Sequence, residues 1–253
     1  MDPVKRLEPH ILAALCQVAN ALSRSRVPYA LIGANALIIR GVELSRSTRD
    51  LDFVVAVRQG LEHVRGTLKR AGVRPSRIPH RFYTEAGIEL DVLPLDPQAE
   101  RRQEICFPDG TRISAVGLAE ALRCSSEVDL GQCIVRVSEL AILVALKLHT
   151  ATRRMGDRDL WDAFIAIQQY AGEGERRFLE VDYEAYPELE YETSGAFLLA
   201  RDLCKLISES TLTHILADVD ALLADDRLSD QRELGLRFVS LLRAFRLGLE
   251  QRL

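Results

Sequence analysis

Two aspartates separated by one residue, Asp50 and Asp52, open an otherwise apolar run that continues through Phe53, Val54 and Val55. On a β-strand, side chains at i and i+2 share a face, so both carboxylates project the same way while Leu51 and Phe53 turn into the core. Carboxylates held this close repel each other unless a cation sits between them. A hard divalent ion such as Mg²⁺ or Mn²⁺ suits such oxygen donors. Alone, the pair is also compatible with a structural role at a strand end, so its surroundings decide the reading. A third carboxylate, Asp91, lies on a later apolar run beside Leu90 and Val92. Arriving from a neighbouring strand, it would complete a two-metal cage in which one metal activates an attacking hydroxyl and the other steadies a leaving group. Glu89 shares its face, and periodicity alone does not choose between them.

These carboxylates require strands, and the pattern supplies them. Residues 8–24 carry apolar side chains at helical spacing. Residues 29–32 read as a short buried strand running into Gly33 and Ala34, after which helical character resumes over 34–40. A tight glycine turn opening a helix presents backbone N–H groups to phosphate, although a plain strand-to-helix turn looks the same. Residues 41–48 form a polar loop, 51–57 a strand and 60–71 a helix closed by Gly72. Residues 81–84 and 88–93 read as a hairpin ended by Pro94, and residues 133–137 as a last strand. From there the pattern is helical, with Ser138 and Asp157 as N-caps of 139–153 and 158–171 and long amphipathic stretches over 194–223 and 229–252. The expected class is α/β (α+β): a catalytic domain of mixed sheet and flanking helices over 1–115, then a mainly helical domain over 116–253.

At this point the chain resembles the polymerase-β-like nucleotidyltransferase superfamily, and within it the AbiEii/MenT-like toxin group. The resemblance is carried by Ile32-Gly33-Ala34, by Arg46-x-Thr48-x-Asp50-x-Asp52-Phe53, by Glu89-Leu90-Asp91, and by Lys147 followed by Arg158-Asp159-x-x-Asp162. It implies Mg²⁺ or Mn²⁺ on Asp50, Asp52 and Asp91, with Asp91 the general base. It places Gly33, Ala34, Arg46, Thr48 and Lys147 on the nucleotide, and Asp159 as a supporting acid near the site. It further implies an NTP substrate, a hydroxyl acceptor such as the 3′ end of tRNA, and an antitoxin protein as partner. Without the resemblance, Lys147 reads as a snorkelling surface lysine, His149 as a helix-face residue, and Arg158, Asp159 and Asp162 as a surface charge set.

Composition narrows the class without choosing the chemistry. Apolar residues are 47% and charged residues 28% of 253, which excludes a disordered chain. No apolar run of membrane-spanning length and no signal-peptide pattern occurs, so a cytoplasmic protein is expected. The five cysteines (Cys16, Cys106, Cys124, Cys133, Cys204) lie far apart and read as reduced thiols, with neither a disulfide framework nor a zinc site. The net charge of -4 argues against a protein that coats nucleic acid, but residues 40–81 carry ten basic against four acidic side chains. That basic zone suits a phosphate-rich substrate and leans the acceptor toward RNA. A catalytically inactive nucleotide- or nucleic-acid-binding module of the same fold is the alternative; a metal-dependent phosphohydrolase is disfavoured because no His-Asp motif accompanies the carboxylates.

Overall fold

The strand bearing the acidic pair lies at the middle of a seven-stranded mixed sheet. The computed structural model describes residues 7–44, 46–57, 61–154, 157–171, 174–225, 228 and 232–252. The chain divides into two compact units between Leu143 and Val144.

In the first unit, α1 (Pro9–Arg24) leads into β1 (Tyr29–Ile32), α2 (Gly33–Ile39), β2 (Asp50–Ala56), α3 (Leu61–Arg70), β3 (Arg74–Pro75), β4 (Arg81–Tyr83) and β5 (Glu89–Leu95). Then come α4 (Pro97–Arg102), the small hairpin β6 (Glu104–Cys106) and β7 (Arg112–Ser114), α5 (Leu118–Arg123), β8 (Ser125–Asp129) and β9 (Ile134–Ser138). The large sheet runs β3-β4-β5-β2-β1-β9-β8. Its β2–β5 and β1–β9 pairs are parallel and the others antiparallel. Burial follows from this central position: Leu51, Phe53, Val54 and Val55 of β2 and Leu31 of β1 are fully inaccessible. Apolar side chains thus line one face along all of β2, and the opposite face alternates with it only at the acidic start, turning apolar from Val54 onward.

The strands β8 and β9 belong to this sheet, so the division falls later than the residue 115 expected from sequence. The strand expected over 133–137 is β9, whereas β8, with two serines and two acids among its five residues, gave no apolar alternation. Pro94 also departs from expectation, since it lies within β5 and does not end it. The N–H of Val92 donates to the His80 carbonyl at 2.8 Å on the β4 side. Two residues on, Pro94 faces that same side past the end of β4, where no ladder partner needs its missing N–H.

Cys16 and Cys133 form a disulfide across a sequence separation of 117, with Cα atoms 5.5 Å apart. This overturns the reading of five free thiols. The packing of α1 against β9 brings together two cysteines that spacing could not pair. Cys106, Cys124 and Cys204 keep their thiols. No described helix is long and apolar enough to cross a membrane.

A helix, α6 (Leu140–Arg154), runs across the division, and the second unit continues with α7 (Asp157–Gln169), α8 (Arg176–Leu179), α9 (Ser194–Cys204), α10 (Glu209–Leu223) and α11 (Arg232–Glu250). Ser138 does not cap α6: it is the last residue of β9, and its buried hydroxyl finds no hydrogen-bond partner among the described residues. The first-turn amides of Ile142 and Leu143 instead bond to the Glu139 carbonyl. The stretch over 194–223 is two helices, because the Ser208 hydroxyl caps the Thr211 amide and starts α10 afresh. Phe238 of α11 meets Phe164 of α7 edge-on, part of the core of this unit.

Candidate active site

Strand register assembles the site. In the order β4-β5-β2, Arg81, Asp91 and Asp52 are cross-strand neighbours in one row, and Tyr83, Glu89 and Asp50 form the next. Neighbours in a row share a face of the sheet, with adjacent strands roughly 4.8 Å apart. Four carboxylates, one guanidinium and one phenol therefore occupy a single patch. All six side chains are partly exposed, whereas the intervening Leu51, Phe82 and Leu90 are buried.

Asp50 is held from two directions. The Thr48 hydroxyl, itself buried, donates to Asp50 Oδ1 at 2.7 Å. Asn35, buried on α2, donates from Nδ2 to the Asp50 carbonyl at 2.6 Å. Thr48, placed on the nucleotide by resemblance, thus spends its proton on orienting a carboxylate. Asn35 was not singled out from sequence; a buried amide in the helix after the glycine turn was the only available signal.

Gly33 has φ +74°, and a Cβ built on it would meet Asp52 Oδ2 at 2.0 Å. The turn is therefore more than a strand-to-helix connection: its lack of a side chain leaves space that the Asp52 carboxylate occupies. Ala34 is buried, so its side chain offers no surface to a ligand. Arg46 lines a cavity of about 320 Å³ beside Thr48, Asn35, Ile38 and Val42.

Asp91 is committed to Arg81. The guanidinium forks onto it, Nε to Oδ1 at 2.9 Å and Nη2 to Oδ2 at 3.0 Å, while Nη2 also lies 2.9 Å from Glu89 Oε1. The hydrogen bond to Asp91 holds the Arg81 pKa above its ordinary value. Arg81 was visible in sequence only as one basic residue among ten; its place opposite Asp91 depends on hairpin register. The donor chemistry of Asp50, Asp52 and Asp91 suits a hard divalent ion. Yet among the described residues no group of three His, Cys, Asp or Glu side chains is arranged to hold a metal ion. A three-carboxylate cage is thus not preformed, and Arg81 takes both Asp91 oxygens.

Within the second unit, Lys147 lies between Asp159 at 2.6 Å and Asp162 at 2.9 Å. Burial pulls the ammonium pKa down, but Asp159 and Asp162 more than offset this and leave it above the ordinary lysine value. Lys147 is not a snorkelling surface lysine, and Asp162, only 1% exposed, is not part of a surface charge set. The i, i+3 spacing on α7 aims both acids at one amine. His149 is buried, with Nδ1 2.6 Å from Asp218 Oδ2, and the Thr152 hydroxyl donates to the other oxygen of that carboxylate. The acid 69 residues away gave no local signal.

The basic zone is partly consumed by structure. Arg40 bonds to the carbonyls of Val137 and Ser138 and to Glu139, and Arg65 pairs with Glu62. Arg74 and Arg77 are exposed.

No protein-family model matches the chain, and no curated protein matches it by sequence. Among solved structures, it is similar to a nucleotidyltransferase-like antigenic protein from Paracoccidioides brasiliensis, 17% identical over 65% of this chain and 78% of that one, with a TM-score of 0.44. It is similar to the antibiotic-resistance factor ANT(2'')-Ia, 14% identical over 66% of this chain and 84% of that one, TM-score 0.43. It is similar to the lincomycin-bound lincosamide antibiotic adenylyltransferase LnuA, 14% identical over 63% and 96%, TM-score 0.42. At these values the likenesses carry no conclusion about activity, which rests on the chain's own side chains.

Proposed function

We propose that the chain is a nucleotidyltransferase, moving a nucleoside monophosphate from an NTP to a hydroxyl acceptor with release of pyrophosphate. One observation carries this reading: Asp50, Asp52 and Asp91 share one face of β2 and β5, with Asp52 seated against the side-chain-free Gly33. Asp50 and Asp52 would hold Mg²⁺ or Mn²⁺, and Asp91 would join them. The bound ion supplies charge neutralisation on the phosphates and activation of the attacking hydroxyl. Thr48 and Asn35 fix the Asp50 carboxylate and its backbone. Such fixed groups contribute by positioning, the main protein contribution in transfer of phosphorus groups. Lys147 is proposed as a further nucleotide contact with Asp159 as a supporting acid near the site, Gly33 and Ala34 as contacts through their backbone amides, Arg46 as a nucleotide contact, and Asp91 as the general base, on the sequence resemblance alone.

The acceptor proposed is RNA, the 3′ end of tRNA being the form the resemblance implies, with an antitoxin-type protein as partner and a cytoplasmic setting. Exposed Arg74 and Arg77 support a polyanionic acceptor. A non-catalytic module of the same fold is the second reading, favoured by the Arg81 fork that already satisfies Asp91.

Incubation of the protein with each α-labelled NTP, Mg²⁺ and total RNA, across a salt series, tests the proposal. A labelled RNA is expected, with acceptor affinity falling as salt rises. Each phosphate contact adds roughly -0.7 to -0.9 to the slope of log affinity against log salt. Arg74→Ala and Arg77→Ala should flatten that slope. Transfer to a small molecule with a flat salt series would overturn the RNA acceptor alone. No transfer to any acceptor would favour the non-catalytic module.

A further inference from the structure

Arg81 has two anchors, and they differ in what they neighbour. Asp91, held by the full fork, is the row neighbour of Asp52 on the candidate metal face. Glu89, held by Nη2 alone at 2.9 Å, is the row neighbour of Asp50 and receives the Tyr83 hydroxyl at 3.5 Å. Four carboxylates on one patch with no counterion would repel one another strongly, and Arg81 supplies positive charge from the adjoining strand. A guanidinium fork and a divalent ion chelated by both oxygens use the same two of the roughly four lone pairs of Asp91. They cannot both hold that carboxylate in full.

We propose that Arg81 is a positioning residue acting as a placeholder cation: it holds Asp91 before metal arrives and shifts onto Glu89 when a divalent ion takes Asp91. This rests on the metal-dependent reading above and deepens it, because it makes ion affinity a competition set by one arginine. Glu89, which periodicity could not separate from Asp91, then has its own task. It keeps Arg81 docked after Asp91 leaves, so no cation drifts into the ion's place.

The test is Mn²⁺ binding by calorimetry, without nucleotide, on the full chain and on Arg81→Gln, Arg81→Lys, Glu89→Gln, the double variant Arg81→Gln/Glu89→Gln, and Asp50→Asn. Removing the competing charge should tighten Mn²⁺ binding roughly tenfold in Arg81→Gln. Arg81→Lys keeps the charge but not the fork, so it too should bind Mn²⁺ more tightly than wild type. Glu89→Gln should weaken binding, and weaken it far less when Arg81 is already Gln, a non-additivity that direct coupling produces. Equal affinities in wild type and Arg81→Lys would overturn the placeholder role and leave only a general charge effect. Additive Glu89 and Arg81 effects would overturn the transfer to Glu89. Wild-type binding that is absent, or that survives Asp50→Asn unchanged, would instead sink the metal site itself. Melting curves of each variant identify any change that acts by unfolding; if Arg81→Gln does not fold, Arg81→Lys carries the comparison.

Discussion

Gly33 meets two demands at once, and neither alone would require it. Its φ of +74° lies where a side chain costs about 1–2 kcal/mol, and its missing Cβ leaves the space that Asp52 Oδ2 fills. Gly33→Ala should therefore destabilise the first unit by roughly 1–3 kcal/mol and push the Asp52 carboxylate aside. Urea unfolding and transfer assays on the same variant separate the two effects: turnover should drop more than the unfolded fraction accounts for. A variant less stable but of normal turnover would make the glycine a plain turn residue. At this scale the sequence was informative. The spacing of Asp50, Asp52 and Asp91 and the glycine turn were legible because strand periodicity and chain order place them. Thr48, Asn35 and Arg81 were not legible in their roles, because Thr48 turns back onto Asp50, Asn35 reaches the Asp50 carbonyl across a loop, and Arg81 meets Asp91 and Glu89 only in the strand register.

Pairs of elements hold the groups that local patterns misread. Lys147 on α6 and the two acids on α7 form a buried cluster that helical periodicity could suggest but not bury. Removing the lysine takes an ammonium away from two carboxylates, one of them 1% exposed. Lys147→Ala should thus cost on the order of 3–5 kcal/mol, since breaking a buried pair strands the other charge. Because the folded ammonium has a raised pKa, its contribution is fully present below the ordinary lysine pKa of 10.5 and is lost as pH climbs through the folded value. Thermal melts of wild type and Lys147→Ala should differ at neutral pH and converge in strong alkali. Equal melting temperatures at pH 7 would show that the cluster contributes no net stability. The two helices within 194–223 make the same point. The Ser208 cap that starts the second of them is invisible to an amphipathic pattern.

For the whole molecule, long-range connections decided what sequence spacing could not. The Cys16–Cys133 link spans 117 residues, and closing a loop of about that size stabilises by roughly 4–5 kcal/mol in the chain-entropy account. It ties α1 to β9 around the sheet that carries the acidic face. The order of strand-like segments before helical ones was legible, including the strand at 133–137, but β8 was not, because its serines and acids give no apolar alternation. That sheet's acidic face is tested most directly by Mg²⁺-dependent pyrophosphate release from an NTP by wild type, Asp50→Asn and Asp52→Asn. Each variant is to be shown folded by circular dichroism. Wild type should release pyrophosphate, and both variants should lose at least about a hundredfold, the scale at which a charge-stabilising group acts in the transition state, with melting temperatures unchanged or slightly raised by relief of like-charge repulsion. Near-normal pyrophosphate release from either folded variant would contradict that expectation.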